Sequence, residues 1–270
     1  MNSIEQSGFL SETISEWIKK HRSDNFEYFK FCEDINDFSH RTMFTMTIHN
    51  KVLVELIVAS LYVRTMSNFQ ATIILAERGM VNEAKSLLRC MLESMFAIVA
   101  IEKDKNIVSQ FVLEDLCQRK NYLKAHKRNR DAGVEQSEDA PSEENLEKML
   151  AEIEEDIKKH DVKKLSIRDL AEKASQISMY DSAYKLLSGS IHVNARDLEQ
   201  YLELNESGDV KKILWGPDVR EIDVTLFTAA ETMLTVLTSI SRIFDLTYEE
   251  PWSKFVKTHQ KLGEEINNLE

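Results

Sequence analysis

Glycine and proline are scarce in this chain. There are 7 glycines and 3 prolines in 270 residues, about 4% where ordinary usage gives roughly 12%. Tight turns and hairpins draw on both residues, because they need positive or fixed φ. A sandwich, a barrel or a doubly wound sheet of this length is therefore excluded, and long helices with few breaks remain. Cysteine is scarce too. Cys32, Cys90 and Cys117 are far apart, odd in number and form no CxxC. That argues against a disulfide framework and against a structural zinc. Long uncharged runs are missing as well. The longest, Thr65 to Ala76, has 12 residues, where a spanning helix needs about 20. The start, Met1 to Leu10, is polar and has no basic n-region. These features read as a cytoplasmic protein with no membrane partner.

What is present points the same way. The hydrophobic fraction is 43%, enough for a core. The formal charge is −12, so nucleic acid could be met only through a local basic patch. The expected fold is all-α, a single-domain bundle of about eight to ten helices over 1–270, with a charged helical arm at 106–160.

Helix signals divide the chain. Ser3 with Gln6 can form a capping box, opening a first helix that ends near Arg22. A second long segment is expected from about Thr42 to Arg78, apolar on nearly every side through Lys51–Arg64, as a central helix should be. Gly79 supplies an αL stop and Asn82 the next N-cap. Further helices are expected from Val81 to about Lys103 and from Asn106 to Arg130. Gly133 and Pro141 bracket a linker. Ser142 then opens an acidic helix, with an apolar seam at Leu146, Leu150, Ile153 and Ile157. Ser166 caps a short helix, another runs roughly from Tyr180 to Leu204, and the last two span Glu221–Phe244 and begin at Pro251. The β-prone Ile213-Leu214-Trp215 leaves room for one short β-hairpin near 202–215.

Each of three nearly all-apolar helices carries a single acid in its middle, Glu55, Glu93 and Glu231. Glutamate is rarely buried unless paired. Arg89 lies one turn before Glu93, the weaker orientation for an exposed pair, so this pair reads as partly buried. It serves either as a structural ion pair or as part of a ligand or catalytic site. Tyr184, Ser188 and His192 recur every fourth residue and share a helical strip, with Gly189 beside them. Ser188 and His192 could act as nucleophile and base. No third orienting residue and no G-x-S-x-G elbow accompany them, so hydrogen-bonded structural roles fit equally.

The segment Gly79-Met-Val-Asn-Glu-Ala-Lys-Ser-Leu-Leu-Arg-Cys-Met-Leu-Glu93 resembles the signature of an uncharacterised, mostly bacterial helical family, catalogued as domain-of-unknown-function family 5677. Its pattern is a glycine, an alanine, then Leu-Leu-Arg-x-x-x-Glu. A second block, Tyr184-Lys-Leu-Leu-Ser188-Gly-Ser-Ile-His192, is similar to that family's Tyr, Ser and His on one helix. The resemblance covers roughly Thr42 to Leu204. It implies that Arg89, Glu93, Tyr184, Ser188 and His192 converge in one polar site, and it brings no established activity. Tyr184 and Glu55 are the ligand-binding candidates. Arg89, Glu93, Ser188 and His192 are the catalytic ones.

Charge is split along the chain. Arg119, Lys120, Lys124, Lys127, Arg128 and Arg130 form a run without acids, and ten acids against one lysine follow between Glu135 and Asp156. Either the two runs pair as a helical hairpin, or the basic run is a patch for RNA, DNA or an acidic partner. Within it, Arg119 and His126 are similar in loose spacing to the Arg and His of helical ribonucleases of the HEPN class. Two copies meeting in a dimer would supply a histidine base for the ribose 2′-OH and an arginine for the phosphorane charge, without metal. Asp37 with His40 is the lone acidic-x-x-His pair, and a di-iron site needs two. No Gly-rich phosphate loop occurs, so no cofactor and no metal is expected. Two readings result. One is an interaction or effector protein, with a protein partner or a second copy of itself. The other is a metal-independent ribonuclease of a toxin or phage-defence system.

Overall fold

The computed structural model describes residues 3–135, 137, 140–160, 165–188, 198–248 and 250–268. It is 77% helical with one small two-stranded antiparallel sheet. The centre is a hairpin of α3 (Leu53–Glu77) and α4 (Val81–Lys103). Gly79 makes the turn at φ +73°. Its N–H reaches Ala76 O at 2.9 Å, and the Met80 N–H reaches Leu75 O at 2.9 Å, a Schellman closure that satisfies the last carbonyls of α3. A methyl group at Gly79 would lie 2.6 Å from the Trp17 ring and 2.8 Å from Asp218 N. Glycine is needed there for conformation and for room. Asn82, expected as the N-cap, lies inside α4, and Met80 takes the cap position.

Helix α4 is the axis of the core. Met91, Leu92, Met95, Phe96, Ile98 and Ile101 are fully buried. Onto it pack α3, the long apolar α9 (Ile222–Ile243) and the short α7 (Ile167–Lys173). By length and composition α9 could cross a membrane. Here Leu226, Ala229, Met233, Val236 and Leu237 fill the core against α4, α3 and α2 (Phe26–Thr45). The C-terminal α10 (Glu250–Asn267) closes the outside of α9 and α2, burying Phe255 and Leu262. Helix α7 starts as expected at Ser166. Its hydroxyl accepts from Asp169 N at 3.1 Å, and Asp169 accepts from Ser166 N at 2.8 Å.

Two expected helices are broken. The first stops after one turn, Ile4–Ser7, because Gly8 takes φ +54°, and α1 (Ile14–Asp24) begins separately. The Thr42–Arg78 segment is also interrupted. Helix α2 ends at Thr45, residues 46–52 turn, and α3 opens at Leu53. Residues 46–52, Met-Thr-Ile-His-Asn-Lys-Val, hold no glycine or proline to mark the turn.

The charged arm is α5 (Ile107–Asp131) packed against α6 (Glu143–Lys159). Helix α5 buries Ile107 and Val108 in the main core. Further out, Leu123 and Leu146 are buried outside that core. Ser142 caps α6 by accepting from Asn145 N at 3.2 Å. After α7 comes a helical stretch α8 (177–188), whose middle, Tyr180–Tyr184, is a π turn. The helix expected to reach Leu204 does not. Beyond the described part of α8, Glu199–Tyr201 is a 3₁₀ turn, and β1 (Leu202–Leu204) pairs antiparallel with β2 (Val210–Ile213). The short hairpin near 202–215 is thus present.

Candidate functional site

Arg89 and Glu93 leave α4 on the face turned toward α8. A π turn carries one more residue per hydrogen-bonded loop than an α turn and re-aims the side chains that follow, often at functional positions. Here it ends at Tyr184, whose ring is 6% exposed. The ring stacks on Tyr180 at 5.1 Å and meets the edge of Phe96 at 6.0 Å. Its hydroxyl lies between the two charged groups of α4. Arg89 Nη2 donates to Tyr184 Oη at 2.8 Å, and Tyr184 Oη donates to Glu93 Oε1 at 2.9 Å. The guanidinium also lies over the phenol ring, 4.9 Å from its centre. Direct contact between Arg89 Nη2 and Glu93 Oε1 is longer, 3.4 Å. The three groups form a relay in which the phenol is the bridge.

Burial is the main force raising the Tyr184 pKa, and the Glu93 hydrogen bond adds to it against the opposing effect of Arg89. The phenol therefore keeps its proton and serves as a donor. Arg89 is 16% exposed and Glu93 28%. Arg89 Nε is buried without a hydrogen-bond partner among the described residues, a state that costs about 1–3 kcal/mol. Ser188 Oγ donates to the Tyr184 carbonyl at 2.8 Å, one helical turn back. Its hydroxyl is thereby committed to the backbone. Gly189 and His192 lie outside the described residues.

Glu55, the other ligand-binding candidate, lies apart from this site. It sits in the first turn of α3, where the 46–52 turn ends. It accepts from His49 N at 2.6 Å and from His49 Nδ1 at 2.9 Å. The backbone donor is the main reason its pKa falls below the usual carboxylate range, and Lys105 lies in the same neighbourhood. Glu55 therefore fixes the very turn that sequence periodicity concealed. Glu231 is a third case. On α9, its carboxylate stands 3.9 Å from His259 Nε2, and desolvation raises its pKa against that histidine's effect. Three acids with similar sequence settings thus have three different structural roles.

The basic run meets the acidic helix. Lys120 and Lys124 both reach Glu154, at 3.0 and 3.1 Å, and Lys127 reaches Glu147 at 2.6 Å. The hydrogen bonds from these lysines hold both glutamate pKa values down. Arg130 donates to Pro141 O at 2.6 Å, and Arg119 pairs with Asp115 at 2.5 Å on its own helix. Arg128 is exposed. His126 meets Tyr122 edge-on at 4.5 Å. His40 of the acidic-x-x-His pair bonds Gln70 at 2.5 Å. Among the described residues, no three His, Cys, Asp or Glu side chains gather as a metal site.

Sequence reading missed the aromatic support of the relay, Phe96 and Tyr180. Their spacing could have shown it. Tyr180 is four residues before Tyr184, and Phe96 is three after Glu93.

The segment that builds this relay is also what a family comparison finds. Residues 55–210 match a family described as "Family of unknown function (DUF5677)". The chain belongs to this DUF5677 family. No curated protein and no solved structure matches it. The matched span holds both halves of the relay, α4 and α8, and the whole arm between them. In this DUF5677 protein the arm is thus inside the family's span.

Proposed function

We propose that this DUF5677 protein works by binding rather than by catalysis, as an interaction or effector protein. Its Arg89–Tyr184–Glu93 relay would receive a small polar ligand or a polar side chain of a partner. The direction of the hydrogen bonds carries this reading. Arg89 donates to the phenol, and the phenol donates to the carboxylate. Burial and the Glu93 hydrogen bond raise the phenol pKa, the opposite of the lowering that activates a nucleophile. Arg89 Nε adds a binding rationale, since it is a buried donor whose cost an incoming acceptor would remove. The ion pairs of the arm weigh against the ribonuclease reading, because Lys120, Lys124 and Lys127 face acids of their own chain.

The test titrates acetate and methylammonium, as stand-ins for an anionic and a cationic ligand group, into wild type, Arg89→Lys and Glu93→Gln. The readout is the melting temperature, with a labelled RNA incubated in parallel without metal. A saturable shift in wild type that either variant loses is the expected result. RNA cleavage by wild type that His126→Ala or His192→Ala abolishes would overturn the reading. So would indifference to both probes.

A further inference from the structure

Helices α9 and α10 meet at a polar contact that is left open. His259 of α10 faces Glu231 of α9, with Nε2 standing 3.9 Å from Oε1, beyond hydrogen-bond length. His259 Nε2 is buried all the same, without a hydrogen-bond partner among the described residues. Native proteins rarely leave a buried polar atom unpaired, because it has given up water and gained no bond in return. The carboxylate opposite is partly desolvated as well. Burial is the main force raising its pKa, and His259 alone opposes it. The Thr235 hydroxyl donates to the Glu231 carbonyl at 3.0 Å rather than to the carboxylate. Packing holds the two groups face to face. The imidazole stacks on Phe227 of α9, with ring centres 4.6 Å apart and planes 22° from parallel. Gly263, one turn along α10, leaves room for the Phe227 ring, since a Cβ there would stand 3.2 Å from it.

The other charges of these helices and of α2 are engaged elsewhere or lie in solvent. Lys254 of α10 pairs with Asp34 of α2 at 3.3 Å. Lys261 of α10 pairs with Glu27 of α2 and, at 3.5 Å, with Glu265. Asp223 of α9 lies near Tyr28 of α2, and Arg242 of α9 reaches Glu102 of α4 at 3.1 Å. Lys257 and Glu264 of α10 are exposed. A neutral imidazole offers the Glu231 carboxylate at most a dipole. An imidazolium offers a full charge and a charge-assisted hydrogen bond, which is shorter and about twice as strong. We propose that His259 and Glu231 form a proton-operated latch, in which His259 takes one proton from solvent, closes the gap and tightens α10 onto α9. The bond exists only in the folded chain, which therefore binds that proton more tightly than the unfolded chain does. Its stabilisation is present in mild acid and lost as pH rises. Phe255 and Leu262, both buried, keep α10 docked without it. The latch sets how readily α10 opens. It does not depend on the polar relay.

Amide hydrogen exchange of the α10 peptides, read by mass spectrometry and corrected for the intrinsic pH dependence of exchange, tests this. Far-UV circular dichroism at each pH is the folding control. Protection of α10 in the wild type is expected to rise about three- to tenfold from about pH 7.5 to about pH 5.5, the range in which histidine changes charge. His259→Gln and Glu231→Gln, both at partly exposed positions, are expected to stay folded and to lose that rise, because each leaves only one member able to carry charge. A wild-type α10 equally protected at both pH values would overturn the proposal. So would a rise that survives in either variant.

Discussion

Arg89 with Glu93 on α4, and Lys120 with Glu154 on the arm, are both base–acid pairs between ordinary residues. Their surroundings separate them. The α4 pair is mostly shielded, bridged by a buried phenol, and tied to a second helix by two hydrogen bonds. The arm pairs are more open to solvent, with Lys120 29%, Lys124 45% and their shared Glu154 44% exposed. Water already satisfies exposed ions well, and salt screens them, so such pairs add little stability. Desolvated ions lose that alternative, and removing one partner leaves the other uncompensated. The chemistry of the side chains is the same. The dielectric around them decides whether a pair holds the fold or only decorates a surface.

The largest expected effect is on the shielded side. Glu93→Ala should destabilise the protein by about 2–3 kcal/mol, the range for losing a hydrogen bond to a charged group plus partial stranding of Arg89. Urea denaturation measures it, and a midpoint equal to wild type would place the relay with the arm. Tyr184→Phe should cost less, about 1–2 kcal/mol, because Arg89 and Glu93 remain close enough to pair directly. The sharper version of this test is the double variant Glu93→Gln/Tyr184→Phe. Its loss should fall short of the sum of the singles, since all three groups act as one network.

Acid titration separates carboxylates of raised and lowered pKa by sign. Burial raises the Glu231 pKa, so the folded state takes up that proton before the unfolded state does. Its penalty is present at neutral pH and is relieved as pH falls through the raised value. Glu231→Gln should therefore raise the melting temperature at pH 7 and flatten this part of the profile. Glu154 behaves oppositely. Its lowered pKa means that its stabilisation is present above the ordinary carboxylate range and is lost as pH falls through the folded value. Because the pair is exposed, Glu154→Gln at neutral pH and moderate salt should leave the melting temperature within measurement error. A clear drop would mean that the arm depends on its ions more than their exposure allows.

The parts of this protein legible in its sequence are those governed by local physics. The Gly79 stop and the Ser142 and Ser166 caps depend on residues near one another in the chain, whereas charge pattern left the basic run free to pair with the acidic helix or to stand as a patch. Periodicity also recovered the core of α4 and α9. It failed at 46–52, where no glycine or proline marks the break, because an interrupted helix and a long one then look alike. The turn at 46–52 depends on Glu55 reaching back to His49, and no pattern of hydrophobicity contains that hydrogen bond. Arg22 is a second example. From α1 it bridges Glu33 of α2 and, at 2.9 Å, Glu77 of α3, and nothing in its local sequence marks it.

The sequence by itself determined that this chain is helical, where most helices end, and which charges could pair. It even set Arg89 and Glu93 on one face of α4, because a step of four residues does so in any α-helix. Only the tertiary structure decided that a phenol from ninety-odd residues away would come between them. The π turn that aims Tyr184, the core that excludes water from its ring and the helix that presents Glu93 are each set by packing of distant segments. The same holds for α3, whose pattern is apolar all round. Packing chose which of its faces became core and which was left toward solvent. Local rules act through a few bonds, whereas burial and pKa depend on everything that displaces water.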